Sequence, residues 1–192
     1  MPDRTPASTL NTGIPAGPAL GVLELCAVSR GLLALDAAVK KAPVHVVEAA
    51  AIMPGKYLLR LNGGVDEVAE ALDAARRVAG DTVVDHVLLP FPHDQLVETL
   101  AGPRTPSIDG LAVVETYSIA AAIRAADAAL KATAVEALRL DRGMVLGGKA
   151  AFYFTGPLHD LEAAIERALS AAGPGLLVGH EIIPNPHPQT HA

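Results

Sequence analysis

Gly21-Val-Leu-Glu-Leu25 and Ala112-Val-Val-Glu-Thr116 open two stretches that read as copies of one another. Aligned, they set Glu24 on Glu115, Asp36 on Asp127 and Lys40 on Lys131, a constant offset of 91. Farther along, Gly55-Lys56 falls on Gly148-Lys149 and Gly63 on Gly156 at an offset of 93, so the second copy has two more residues before its Gly-Lys pair. Pro90-Phe-Pro-His93 then falls on Pro184-Asn-Pro-His187 at 94. Self-similarity at a fixed spacing marks a structural unit made twice. The 192 residues are therefore two small units rather than one large domain.

Each unit reads β-α-β-β-α-β. In the first, the strands fall at Leu20 to Ala27, Val44 to Ile52, Lys56 to Leu61 and Thr82 to Leu89. Helices fall at Arg30 to Lys41, with Ser29 as the expected cap, and at Val65 to Ala79. The second helix sets Val65, Val68, Leu72, Ala75 and Ala79 on one face, and Gly80 ends it. Two helices on one face of an antiparallel four-stranded sheet is the ferredoxin-like plan, an α+β fold. The division reads as a tail over 1–18, a first domain over 19–100, a linker over 101–109, a second domain over 110–188 and a short tail over 189–192. Pro, Gly, Ser and Thr dominate the linker, and no apolar period runs through it.

Composition narrows the function. Hydrophobic residues make up 51% and charged residues 19%, which excludes a disordered chain. Aromatics are only 3%, with no Trp, leaving little surface on which bases could stack. A net charge of −6 with scattered basic residues argues against a polyanion partner, so no nucleic acid is expected. No apolar run reaches the ~20 residues of a bilayer span, and Met1 to Pro18, broken by four prolines, lacks the pattern of a signal peptide. One cysteine, Cys26, fits a reducing compartment and reads as a buried, inert thiol on a strand.

Several motifs suggest chemistry and each has a structural counterpart. Gly143 to Ala150 comes within one residue of a phosphate-binding loop, but Ala150 stands where Ser or Thr would bind magnesium, and a strand rather than a helix follows. Glu24 and Glu115 recur in equivalent apolar strands, which favours carboxylates satisfying backbone amides in their own copies over an acid/base pair. His86 and His93 recur as His180 and His187 without the spacing or company of a metal site. No catalytic or metal residues are assigned. The Gly-rich turns Met53-Pro-Gly-Lys56 and Leu146-Gly-Gly-Lys149 remain: simple hairpin connections or, around a symmetry axis, a ring of backbone amides lining an opening.

Gly-Val-Leu-Glu-Leu, Arg30-Gly, Asp36-Ala-Ala-Val-Lys40, Pro-Gly-Lys, Gly63-Gly and Pro-x-Pro-His, met in order and mostly twice, resemble the bacterial microcompartment shell domain. The tandem copies resemble its trimer-forming, unpermuted class. The resemblance implies a non-enzymatic facet protein in the shell of a cytoplasmic organelle. It implies a pseudohexameric homotrimer that tiles with other hexagonal and pentagonal shell proteins and passes small metabolites through a central pore. Met53, Pro54, Gly55, Leu146, Gly147 and Gly148 would line that pore. A relative in this class holds an iron–sulfur cluster on a cysteine before Pro-Gly-Lys; Met53 stands there, and a thioether replaces a thiolate poorly, so no cofactor is expected. Lys40 and Lys131 would lie at tile edges, with Phe91 and Asn185 where the family has arginine. Lys56 and Lys149 would add positive potential near the pore. A ferredoxin-like sensor, binding a small molecule in a cleft between the units, is the alternative.

Overall fold

The computed structural model describes residues 17–142 and 146–190. The expected N-terminal tail thus lies outside the described residues except for Gly17 and Pro18. The first unit contains β1 (Ala19–Leu25), α1 (Val28–Lys41), β2 (His45–Ile52), β3 (Lys56–Gly63), α2 (Val65–Ala79) and β4 (Val83–Pro90). After α3 (Asp94–Ala101), the second unit contains β5 (Gly110–Thr116), α4 (Ile119–Ala132), β6 (Glu136–Arg142), β7 (Ala150–Gly156), α5 (Leu158–Ala172) and β8 (Leu177–Ile183). The sheets run β2-β3-β1-β4 and β6-β7-β5-β8, antiparallel throughout. That is the order the ferredoxin-like reading requires.

Alternation along β1 explains how the units meet. Ala19, Leu23 and Leu25 join a core with Ala34, Ala38, Val68 and Leu72 of their own helices. Leu20 and Val22 belong instead to a core with Ile119, Ile123 and Ala126 of α4. One face of the first sheet is therefore closed by its own helices and the other meets the second unit. Small side chains make the contacts close: α4 buries six alanines, and a Cβ at Gly31 of α1 would come within 2.1 Å of the Tyr57 ring. Phe152 and Phe154 stack in the second core at 5.5 Å, and Tyr57 is buried in the first.

Three local expectations need correction. The helix expected after Ser29 begins at Val28 with Ala27 as its N-cap, and no side chain caps it. Cys26 is exposed, because β1 ends at Leu25 beside a register shift and Cys26 turns outward, its N–H donating to Thr82 O at 2.9 Å. Helix α3 lies beyond the last repeat match, where no element was expected. His93 starts it by accepting from Gln95 N, and Leu96 anchors it, fully buried, in the core shared with α4. The segment after α3 is pinned as well: Arg104 donates from N to Leu138 O at 2.7 Å and from Nη1 to Ala137 O at 2.9 Å.

Candidate functional site

The two Gly-rich turns sit side by side at the joint between the units. A Cβ at Gly148 would lie 2.6 Å from Pro54 Cδ and 3.2 Å from Lys56 Cε, and Gly148 has φ +83, so no other residue suits the position. Met53 is 55% exposed at the tip of its turn and Pro54 and Gly55 are exposed beside it. Leu146 and Gly147 reach the surface in the second turn, while Gly148 is buried.

Behind the turns is a polar joint that ties one unit to the other. Glu24 is fully buried; its Oε1 accepts from Lys56 Nζ at 2.6 Å and its Oε2 from Ile119 N at 2.7 Å. Lys56 also donates to Gly148 O at 2.9 Å and Tyr117 O at 3.2 Å. Burial pushes the Glu24 carboxyl above its ordinary value, against the pull of Lys56 and of the amides of Ile119 and Ala120. Contrary to the expectation from the repeat, Glu24 serves amides of the other copy, not its own. Among the described residues its counterpart Glu115 meets only Lys149, and it keeps 31% of its side chain exposed. Lys56 and Lys149, expected to add positive potential near the turns, each pair with a carboxylate, Glu24 and Glu115.

Sequence reasoning missed the rest of this joint. Asp85 accepts from Ser118 Oγ at 2.5 Å and lies 3.4 Å from Arg124, whose guanidinium also donates to Ala171 O, Ala172 O and His86 O. Asp127 accepts from His93 N at 2.8 Å and pairs with Lys131 at 2.6 Å. The signal was available: under the repeat offsets, Asp85, Ser118 and Arg124 fall on Gly179, Ala27 and Leu33, so the copies differ where only one of them faces the other. Glu48, paired with Arg60 in β3 and Arg142 in β6, falls on Arg139, which lies 4.1 Å over the Tyr153 ring.

Lys40 pairs with Asp36 at 2.7 Å on the surface, and Phe91, at φ +53, is 67% exposed. Asn185 is exposed on the segment after β8. His93 and His187 recur because each accepts from the amide two residues on, Gln95 or Gln189, at 3.2 Å. Gly143, Met144 and Val145 of the phosphate-loop resemblance lie outside the described residues; after Lys149 the chain enters β7, not a helix. Among the described residues the units meet in a packed core, and the largest cavity described, about 620 Å³, is lined by the first unit and α3 alone.

The BMC domain family matches residues 19–92 and 110–186, and the chain belongs to it: this is a bacterial microcompartment shell protein with two BMC domains in tandem. The bacterial microcompartment shell protein PduT of Citrobacter freundii is 38% identical over 173 residues, 88% of this chain and 93% of the relative. The carboxysome shell protein CcmK2 of Synechococcus elongatus is 33% identical over 95 residues, 47% of this chain and 93% of the relative, so one such relative spans about one unit. Among solved structures, a microcompartments protein from Desulfitobacterium hafniense superposes with a TM-score of 0.78 at 33% identity, covering 90% of this chain and 97% of that one. A fused permuted hexameric shell protein of the RMM microcompartment, with a TM-score of 0.62 at 21% identity over 80% of each chain, shares the fold.

Proposed function

We propose that three copies close into a flat pseudohexameric homotrimer whose six Gly-rich turns ring a central opening for small molecules, and that this tile joins hexagonal and pentagonal shell proteins in a facet. The observation that carries this reading is the unequal burial of equivalent helix residues. In α4, Ile119 and Ile123 are fully buried and Leu130 is 3% exposed against the first unit. Their counterparts in α1, Val28, Leu32 and Val39, are 38%, 59% and 44% exposed. The same stripe is covered in one copy and bare in the other. A second chain, offering its second sheet as the first sheet meets α4, covers it. Repetition of this head-to-tail contact closes a ring of three chains.

In that ring the turns already adjacent in one chain would meet the turns of the next, around the axis. Met53, Pro54, Gly55, Leu146, Gly147 and Gly148 then line the opening without a charged side chain, and it holds no cluster. Selectivity would come from width and backbone amides. The protein has no catalytic role in this reading. Sedimentation should give about 59 kDa, three times the chain mass of 19.7 kDa, and electron microscopy should find it incorporated with hexameric shell proteins. A stable monomer of 19.7 kDa at all concentrations overturns the proposal. Met53→Asp would set three carboxylates around the axis, and slower passage of small anions through assembled shells is the expected result; unchanged anion flux argues against this lining.

A further inference from the structure

The joint within the chain is a copy of a second joint that one chain alone cannot make. Carried through the repeat offsets, Glu24 becomes Glu115 and Ile119 becomes Val28; Lys56 becomes Lys149 and Gly148 becomes Gly55; His93 becomes His187 and Asp127 becomes Asp36. Within the single chain, three of these counterparts have less than the originals. Glu115 accepts from Lys149 at Oε1, and among the described residues no donor reaches Oε2. Helix α1 starts at Val28 with no side-chain cap, whereas Ile119 at the start of α4 donates to Glu24. Asp127 is 7% exposed in its side chain and Asp36 54%.

We propose that Glu115 and Lys149 form a latch for a second copy of this chain. Oε2 of Glu115 accepts a hydrogen bond from the N–H of Val28 of the partner subunit, and the Lys149 ammonium donates to the carbonyl of Gly55 of the partner subunit. His187 N–H donates to Asp36 of the partner subunit. The inference rests on the trimer reading and gives it direction and chemistry: the second unit of one copy grips the first unit of the next, beside the opening. Because Gly55 lies in the turn itself, the latch also fixes the turn's position at the axis. The two joints differ in strength. Asp85, Ser118 and Arg124 reinforce the joint within the chain, and Gly179, Ala27 and Leu33 leave the joint between copies to its apolar stripe and the latch.

Val28→Pro tests the latch at one atom. Proline suits the first position of a helix, where its missing N–H breaks no internal bond, and Ala27 before it is already extended at φ −137, ψ 121. The helix is kept and the donor to Glu115 is removed. Trimer dissociation is followed by sedimentation for the wild type, Val28→Ala, Val28→Pro, Glu115→Ala and the Val28→Pro/Glu115→Ala double variant, with circular dichroism as the check on folding. Val28→Pro should weaken each contact roughly tenfold or more relative to Val28→Ala, the range of a charge-assisted hydrogen bond. The double variant should lose little beyond the worse single change, since both remove one interaction. A trimeric wild type with Val28→Pro as tight as Val28→Ala, or fully additive losses, overturns the latch alone. A wild type that never leaves the monomer overturns the trimer reading and the latch together.

Discussion

Glu24→Ala should lower the unfolding free energy by about 3–5 kcal/mol, the range for removing one partner of a buried ion pair. The side chain is fully buried, and three donors converge on its carboxylate: the Lys56 ammonium and the amides of Ile119 and Ala120. Alanine leaves an ammonium that is only 17% exposed and the first amides of α4 without their acceptor. Glu115→Ala makes the same chemical change at an equivalent position, but its carboxylate and Lys149 are 31% and 36% exposed and, among the described residues, no amide donates to it. Its loss should be within about 1 kcal/mol, as for an exposed pair. Urea unfolding of both variants, at a dilution where each is monomeric, measures the difference. Equal losses would show that Glu24 does not join the units. Because burial raises the Glu24 carboxyl above its ordinary value of 4.5, the folded chain takes up a proton more readily than the unfolded chain. Stability from this group therefore falls as pH rises through that window and is level above it.

The elements were legible because each periodic run of apolar residues meets the same core in both copies. The 3- and 4-residue steps of Val65 to Ala79 predict a helix, and α2 spans those same residues. What the repeat concealed is that equivalent residues do not have equivalent surroundings. Treating Glu24 and Glu115 alike led to amides within each copy, yet only Glu24 has the neighbouring unit in reach. The information lay in the departures from the repeat: Ser118 against Ala27, Arg124 against Leu33 and Asp85 against Gly179 mark the joint that one chain completes. Helix α3 was missed for a related reason. It begins where the copies stop matching, and its buried Leu96 owes its place to the other unit rather than to any local period. Cys26 was misplaced by a single register shift at the end of β1, which no alternation of residue types announces.

Leu32→Glu and Ile123→Glu form a matched pair, one substitution at equivalent positions of α1 and α4, and should fail in opposite ways. Ile123 is fully buried between its own sheet and the first unit. A carboxylate there has no partner, and a loss above about 4 kcal/mol is expected, enough to unfold much of the chain. Leu32 is 59% exposed in the single chain, so glutamate should change monomer stability by no more than about 0.5 kcal/mol. In the ring the same glutamate would be buried at all three contacts, against the second sheet of the next copy, as Ile123 is buried against the first sheet in its own joint. Leu32→Glu should therefore give a folded monomer near 19.7 kDa, with wild-type circular dichroism and no incorporation into shells. Urea unfolding separates the first effect and sedimentation the second. If Leu32→Glu stays trimeric, α1 is not the covered face, and its bare stripe of Val28, Leu32, Leu33 and Val39 must meet something other than a second copy.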